Sequence, residues 1–140
     1  MKHQIATDPS QSARLIACGV DPKSADFVWM EDNPNPRLTL RTEIIEDSNP
    51  YIVAFAWSLS ALIAMLPKII TCDAYGCIWL EIVWLYEENS IPTIRFFTPP
   101  NENDDEPDQW EFTDENIIEC AVQAVEWIKD NGYKLNEIKQ

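Results

Sequence analysis

Apolar residues recur along this chain at two spacings, about every 3.6 residues and every second residue, and the change from one to the other predicts the elements. Helical spacing is clearest in Ala56 to Pro67. There Leu59, Leu62, Ile63 and Leu66 share one face, Ser58 is placed to cap the first free N–H groups, and Pro67 forbids continuation. The same spacing returns near the C-terminal end, where Ile117, Ile118, Ala121, Val122, Val125 and Ile128 form a broad stripe. Cys120, Ala124 and Trp127 widen it, and Glu119, Gln123, Glu126 and Asp130 are left outside. Thr113 or Asp114 is the expected cap of this helix and Gly132 its stop. A third helix is predicted from Asp8, with Pro9 at the first helical position and Gln11 closing a capping box, ending at Cys18-Gly19.

Strand spacing fills the intervals. Phe27 to Met30 and the partly alternating Arg37 to Ile45 read as a loosely joined hairpin, while Tyr51 to Ala56 reads as a lead-in to the central helix. Lys68 to Cys72 is short and β-branched, so it is an optional strand. Cys77 to Tyr86 is the strongest strand pattern, apolar on both faces except at Glu81, and it is expected to be covered on both sides. Ile91 to Thr98 forms a second hairpin with it, with Glu87 to Ser90 as the loop. Segment 99–112 is crowded with acids and prolines and is expected to be an acidic mobile loop. The predicted architecture is α+β, in the order αββαβ(β)βα: an antiparallel sheet of about four to five strands with three helices packed mainly on one face.

Composition narrows the class. The 140 residues suit a single domain, with 1–7 expected to fray, and 46% hydrophobic residues with six tryptophans can supply a sizeable core. Ten basic against 24 acidic residues give a net charge of −14. Such a field repels phosphate backbones and anionic lipid surfaces, so no direct nucleic acid and no membrane partner is expected. The apolar run from Tyr51 to Leu66 is shorter than the about 20 residues a membrane span needs. The N-terminal residues have no apolar core of a signal peptide, which predicts a cytoplasmic location with Cys18, Cys72, Cys77 and Cys120 as thiols.

Three segments carry a family resemblance: Ser24-Ala25-Asp26-Phe27, Ala56 to Pro67, and Ala124 to Tyr133. Together they resemble a group of small uncharacterised bacterial proteins that are similar to proteins of phage-like and mobile genetic elements. The tryptophan-serine-leucine-serine segment followed by a leucine-rich turn and proline is the most specific part. The resemblance implies no activity, cofactor or site residue. Glu126 departs from the group, which often has a small apolar residue there, and so does the acidity of the Asp104 to Glu111 segment.

Candidate chemistry is sparse. The single histidine, His3, falls in the expected tail, so the usual general base is missing. Three glycines in separate segments, Gly19, Gly76 and Gly132, cannot build a phosphate cradle. A four-thiolate zinc site fits poorly, because only Cys72 and Cys77 are close in sequence and their spacing exceeds that of a common zinc knuckle. Calcium at Asp104, Glu106, Asp108 and Glu111 lacks the fixed register and glycine of an EF-hand loop. Neither a metal nor a cofactor is expected.

The leading expectation is a non-enzymatic accessory protein of a phage or mobile element, acting through contacts with a partner protein of basic character or as a homodimer through Cys77 to Leu85. The expected contact residues are Trp110, Glu106, Asp108, Glu111, Trp79 and Val83. Trp110 is the expected exposed anchor, alone among carboxylates. The alternatives are an acidic mimic of nucleic acid and a small metal-dependent or carboxylate hydrolase using a pair such as Asp105 and Glu111. Placing a charge on the C-terminal helix stripe tests the core assignment. Val125→Asp is expected to cost several kcal/mol and to abolish a cooperative thermal melt near the parental temperature, measured by circular dichroism.

Overall fold

The computed structural model describes residues 4–43, 51–83, 91–99 and 107–137. The fold is α+β, with two antiparallel sheets of three and four strands and three helices among the described residues. In chain order these are α1 (Pro9–Ala17), β1 (Phe27–Met30), β2 (Arg37–Leu40), β3 (Ile52–Ala56), α2 (Leu59–Met65), β4 (Ile69–Cys72), β5 (Gly76–Val83), β6 (Thr93–Phe97), β7 (Gln109–Thr113) and α3 (Ile117–Asp130). The first sheet has the order β2-β1-β3 and the second is the meander β4-β5-β6-β7.

This corrects the expectation of one sheet with four to five strands. Tyr51 to Ala56 is more than a lead-in: Ile52–Ala56 forms β3, with Phe27 opposite Ala56 and Val28 opposite Phe55. The acidic loop expected over 99–112 is likewise interrupted. Trp110 and Phe112 alternate with Gln109, Glu111 and Thr113, and β7 pairs with β6 along its whole length. A period of two with an aromatic at each inward position outweighed the acidic composition. The proposed hairpin loop at 87–90 lies outside the described residues.

Helix α3 occupies the centre of the core. Ile118, Cys120, Ala121, Val122, Ala124, Val125 and Ile128 are each buried, and the helix packs on β6 and β7 as well as on α1 and α2. Each fully buried aliphatic side chain contributes about 1.5–3 kcal/mol, so this one helix holds a large share of the apolar stabilisation. Its N-cap is Asn116 rather than Thr113 or Asp114. Thr113 belongs to β7, and Asp114 instead accepts the Asn116 amide at 2.8 Å, which positions the Asn116 side chain to accept from Ile118 at 3.0 Å. Gly132, at φ 75°, ends the helix in the left-handed conformation, and Tyr133 N–H donates back to the Ile128 carbonyl.

Helix α2 has seven residues, too few to persist alone, and distant groups hold both its ends. At its start, Ser58 Oγ accepts from Ala61 N–H while Asp26 accepts from the Ser58 amide and hydroxyl. At its end, Asn136 N–H donates to the Met65 carbonyl at 2.8 Å, and Asn136 Nδ2 donates to those of Ala64 and Leu66. The orphan carbonyls of the last turn are therefore satisfied from beyond α3.

Residues 4–7 do not fray as expected. Ala6 and Thr7 are buried, Thr7 N–H donates to the Trp57 carbonyl, and Thr7 Oγ1 accepts from Trp57 N–H at 3.0 Å. A polar network then ties α1 to α3. Arg14 donates to both oxygens of Glu119, at 2.6 and 3.1 Å, and to Glu126 at 2.5 Å; Gln11 and Gln123 also donate to Glu119. Glu126 thus has a cationic partner.

Burial by itself would push the Glu119 carboxyl up, but the hydrogen bonds from Arg14, Gln123 and Gln11 outweigh it and hold the group below its ordinary range. A depressed carboxylate contributes stability above its unfolded value of about 4.3 and loses it as pH falls through the folded value. Arg14 is partly exposed, which limits the effect. Glu119→Gln is expected to lower stability by on the order of 1 kcal/mol at pH 7, with the gap from the parent closing in acid. Urea denaturation at pH 7 and at about pH 3.5 checks this.

Candidate functional site

Register divides the four-stranded sheet into a face that meets α3 and a face that does not. Ile70, Ile78, Ile94 and Phe96 point to the core and are buried. The alternate positions form rows across the other face. Ile69, Trp79, Phe97 and Gln109 make one row; Glu81, Arg95 and Glu111 make a second; Val83, Thr93 and Thr113 make a third. Residues two apart on a strand are about 7 Å apart, so the rows lie side by side at that spacing.

Except at Gln109 the first row is apolar, and it is most open at Ile69 and Trp79. Ile69 is 60% exposed and Trp79 43%, and the Trp79 and Phe97 rings meet edge to face with centroids 6.0 Å apart. Within the single chain Trp79 is thus exposed on the face of β5 that the sequence reading assigns to another chain or to the chain's own tail. The second row is charged. Arg95 Nη1 lies 3.4 Å from Glu81 Oε2, and Arg95 Nε lies 2.9 Å from Glu111 Oε1. The Nε–H does not point at that oxygen, so this second contact is an ion pair without a hydrogen bond. Two carboxylates share one guanidinium, and the row keeps a net negative charge.

Three of the expected contact residues, Trp79, Val83 and Glu111, come together on this face. Asp108 stands just before β7, exposed, with its backbone N–H donating to Thr98 Oγ1 and its carbonyl accepting from Thr98 N–H. Glu106 lies outside the described residues.

Trp110 is a correction. Alternation along β7 turns it to the core side, where its ring lies 5.2 Å from Trp127 and 5.3 Å from Tyr75. Trp127 also stacks on Phe96 at 4.9 Å and approaches Phe112 and Tyr133, so Trp110 belongs to a half-buried aromatic cluster packed against the core beside α3 rather than standing as a lone exposed anchor. Ile69, Phe97 and Arg95 are the face residues that the sequence reading did not single out. Their signal was register: Ile69 and Phe97 alternate with the buried Ile70 and Phe96, and Arg95 stands two residues from Phe97 on the same side.

Elsewhere the chemistry is quiet. Burial pushes the Cys120 thiol up to about 11, aided by the Asp114 charge, and burial with the Glu126 charge also raises Cys18, so both stay protonated near neutral pH. Among the described residues no three His, Cys, Asp or Glu side chains are grouped to hold a metal ion. A cleft bordered by Asp21, Ser24, Met65 and Asn136 has polar side chains already engaged in the fold: Ser24 Oγ accepts from Trp57 Nε1, and Asn136 closes α2. No described helix is long and apolar enough to cross a membrane.

No protein-family model, curated protein or solved structure matches the chain. The open sheet face is the candidate site on its geometry alone. Because all three side chains are partly exposed and the Arg95 Nε contact lacks a hydrogen bond, the ion row adds little to folding. Arg95→Met is expected to change stability by less than about 1 kcal/mol in a thermal melt, whereas Phe96→Ala, on the opposite face of the same strand, is expected to cost about 3 kcal/mol or more.

Proposed function

We propose that this chain is a non-enzymatic accessory protein of the phage or mobile-element kind that its tryptophan-serine-leucine-serine segment suggests. It acts by holding another protein on the outer face of the β4-β5-β6-β7 sheet. The observation that carries this reading is the row Ile69, Trp79 and Phe97, half exposed on a rigid sheet. Exposed apolar groups that lie contiguously, rather than singly, mark interaction surfaces, and a tryptophan at the centre is a favoured anchor. Glu81, Arg95 and Glu111 supply the polar border that such a contact uses to set orientation.

The mimic reading has weaker support. It asks for carboxylates repeated along one rigid face, and on this face Arg95 stands between Glu81 and Glu111.

Site-specific photo-crosslinking tests the contact. Benzoylphenylalanine placed at Thr71, which is exposed beside the apolar row, is expected to give a discrete protein adduct in the native cell. The same group at Glu31, exposed after β1, is expected to give none. Absence of an adduct at Thr71, or the same adducts from both positions, would overturn the reading.

A further inference from the structure

Resting on that reading, the chemistry of the face also specifies its occupant. We infer that the outer face of the β4-β5-β6-β7 sheet receives an extended segment of a basic partner protein, with an apolar residue and a lysine or arginine two positions apart. The rows set this spacing. An extended chain advances about 3.3 Å per residue and points alternate side chains to one side, so residues i and i+2 stand about 7 Å apart. That matches the distance from the Ile69–Trp79–Phe97 row to the Glu81–Arg95–Glu111 row. An apolar side chain laid against the Trp79 and Phe97 rings therefore brings its i+2 neighbour over the carboxylates.

Charge selects the sign of that neighbour. Arg95 is the one cation in its row and is held between Glu81 and Glu111, whose side chains are 46% and 38% exposed. The Glu81 contact is long at 3.4 Å, and the Arg95 Nε–H is misdirected from Glu111, so both carboxylates keep lone pairs free for a further donor. An incoming lysine or arginine meets two acceptors, whereas an incoming acid meets one cation already shared. A second copy of this chain fits less well. It carries the same net charge of −14 and would set the same carboxylate row against its own. Within a Debye length of about 8 Å such like charges repel.

The probes are three capped twelve-residue peptides: repeats of Leu-Thr-Lys-Thr, of the same composition permuted to Leu-Lys-Thr-Thr, and of Leu-Thr-Glu-Thr. Binding is followed by intrinsic tryptophan fluorescence and by calorimetry at two salt concentrations, on the full chain and on folded variants checked by circular dichroism. The Leu-Thr-Lys-Thr peptide is expected to bind about tenfold more tightly than the permuted one, whose leucine and lysine point to opposite sides. The glutamate peptide is expected not to bind. Trp79→Ala is expected to weaken binding about tenfold at both salt concentrations, and Glu81→Gln with Glu111→Gln to remove most of the salt dependence. Glu31→Gln with Asp32→Asn removes two exposed acids from the β1–β2 connection and is expected to change neither.

Equal binding of the permuted peptide, or equal loss in the remote variant, would overturn the inference as diffuse charge attraction. A dimer in sedimentation equilibrium that Trp79→Ala dissociates would overturn it in favour of a second copy. An adduct at Thr71 without binding of the Leu-Thr-Lys-Thr peptide would leave the protein-contact reading standing and this occupant rejected. Loss of the adduct itself would remove the contact reading as well.

Discussion

The burial of α3 is the constraint on which the rest of this structure depends. A helix whose inward stripe runs from Ile118 to Ile128 must be enclosed on more than one side, and no single element of this chain can do that. Strands β6 and β7 cover one side through Ile94, Phe96, Trp110 and Phe112, and α1 and α2 approach from others. The features at the helix margins follow from this enclosure. Arg14 joins Glu119 and Glu126 where α1 crosses, and Trp127 gathers the aromatics of the sheet. Because these contacts use the inward face of the sheet, the other face keeps its apolar row uncovered.

Local signals identified several elements and failed for identifiable reasons elsewhere. Asp8 with Gln11, Ser58, Pro67, Gly19 and Gly132 act through groups within a few residues, so sequence reading finds the starts or ends they impose. The buried and exposed sides of α3 also follow directly from its period. Strand β3 was harder to recognise because Ile52–Ala56 lacks alternation and is defined by its partner β1, which is distant in sequence. The acids around Trp110 and Phe112 masked β7, although the two aromatics alternate as a half-buried strand should. The same alternation decides the fate of Trp110: one residue of register separates a ring in the core from a ring in solvent.

The candidate face was only partly readable for a related reason. Trp79, Val83 and Glu111 could be chosen by residue type, but a face is a property of pairing. Only the alignment of Ile69 with Trp79 and of Arg95 with both Glu81 and Glu111 turns separate residues into rows. Charge counted over the whole chain does not reveal that two of its ten cations, Arg14 and Arg95, are placed between acids. Arg14 and Arg95 each bridge two glutamates, one pair joining helices and the other lying across a sheet. Similar local chemistry therefore ties two helices together in one place and lies on an exposed sheet face in another.

The position of Asn136 bears on the order in which the fold can be completed during synthesis. Every described strand precedes α3 in the chain, and the residue that satisfies the last carbonyls of α2 follows it. As the polypeptide emerges, the inward face of the β4-β5-β6-β7 sheet appears before its cover α3, and α2 appears long before its end can be closed. Nascent chains therefore expose Ile78, Ile94 and Phe96 to whatever surrounds the ribosome until α3 arrives. The interval is one of vulnerability to misassociation, and its length is fixed by chain order rather than by the strength of any contact.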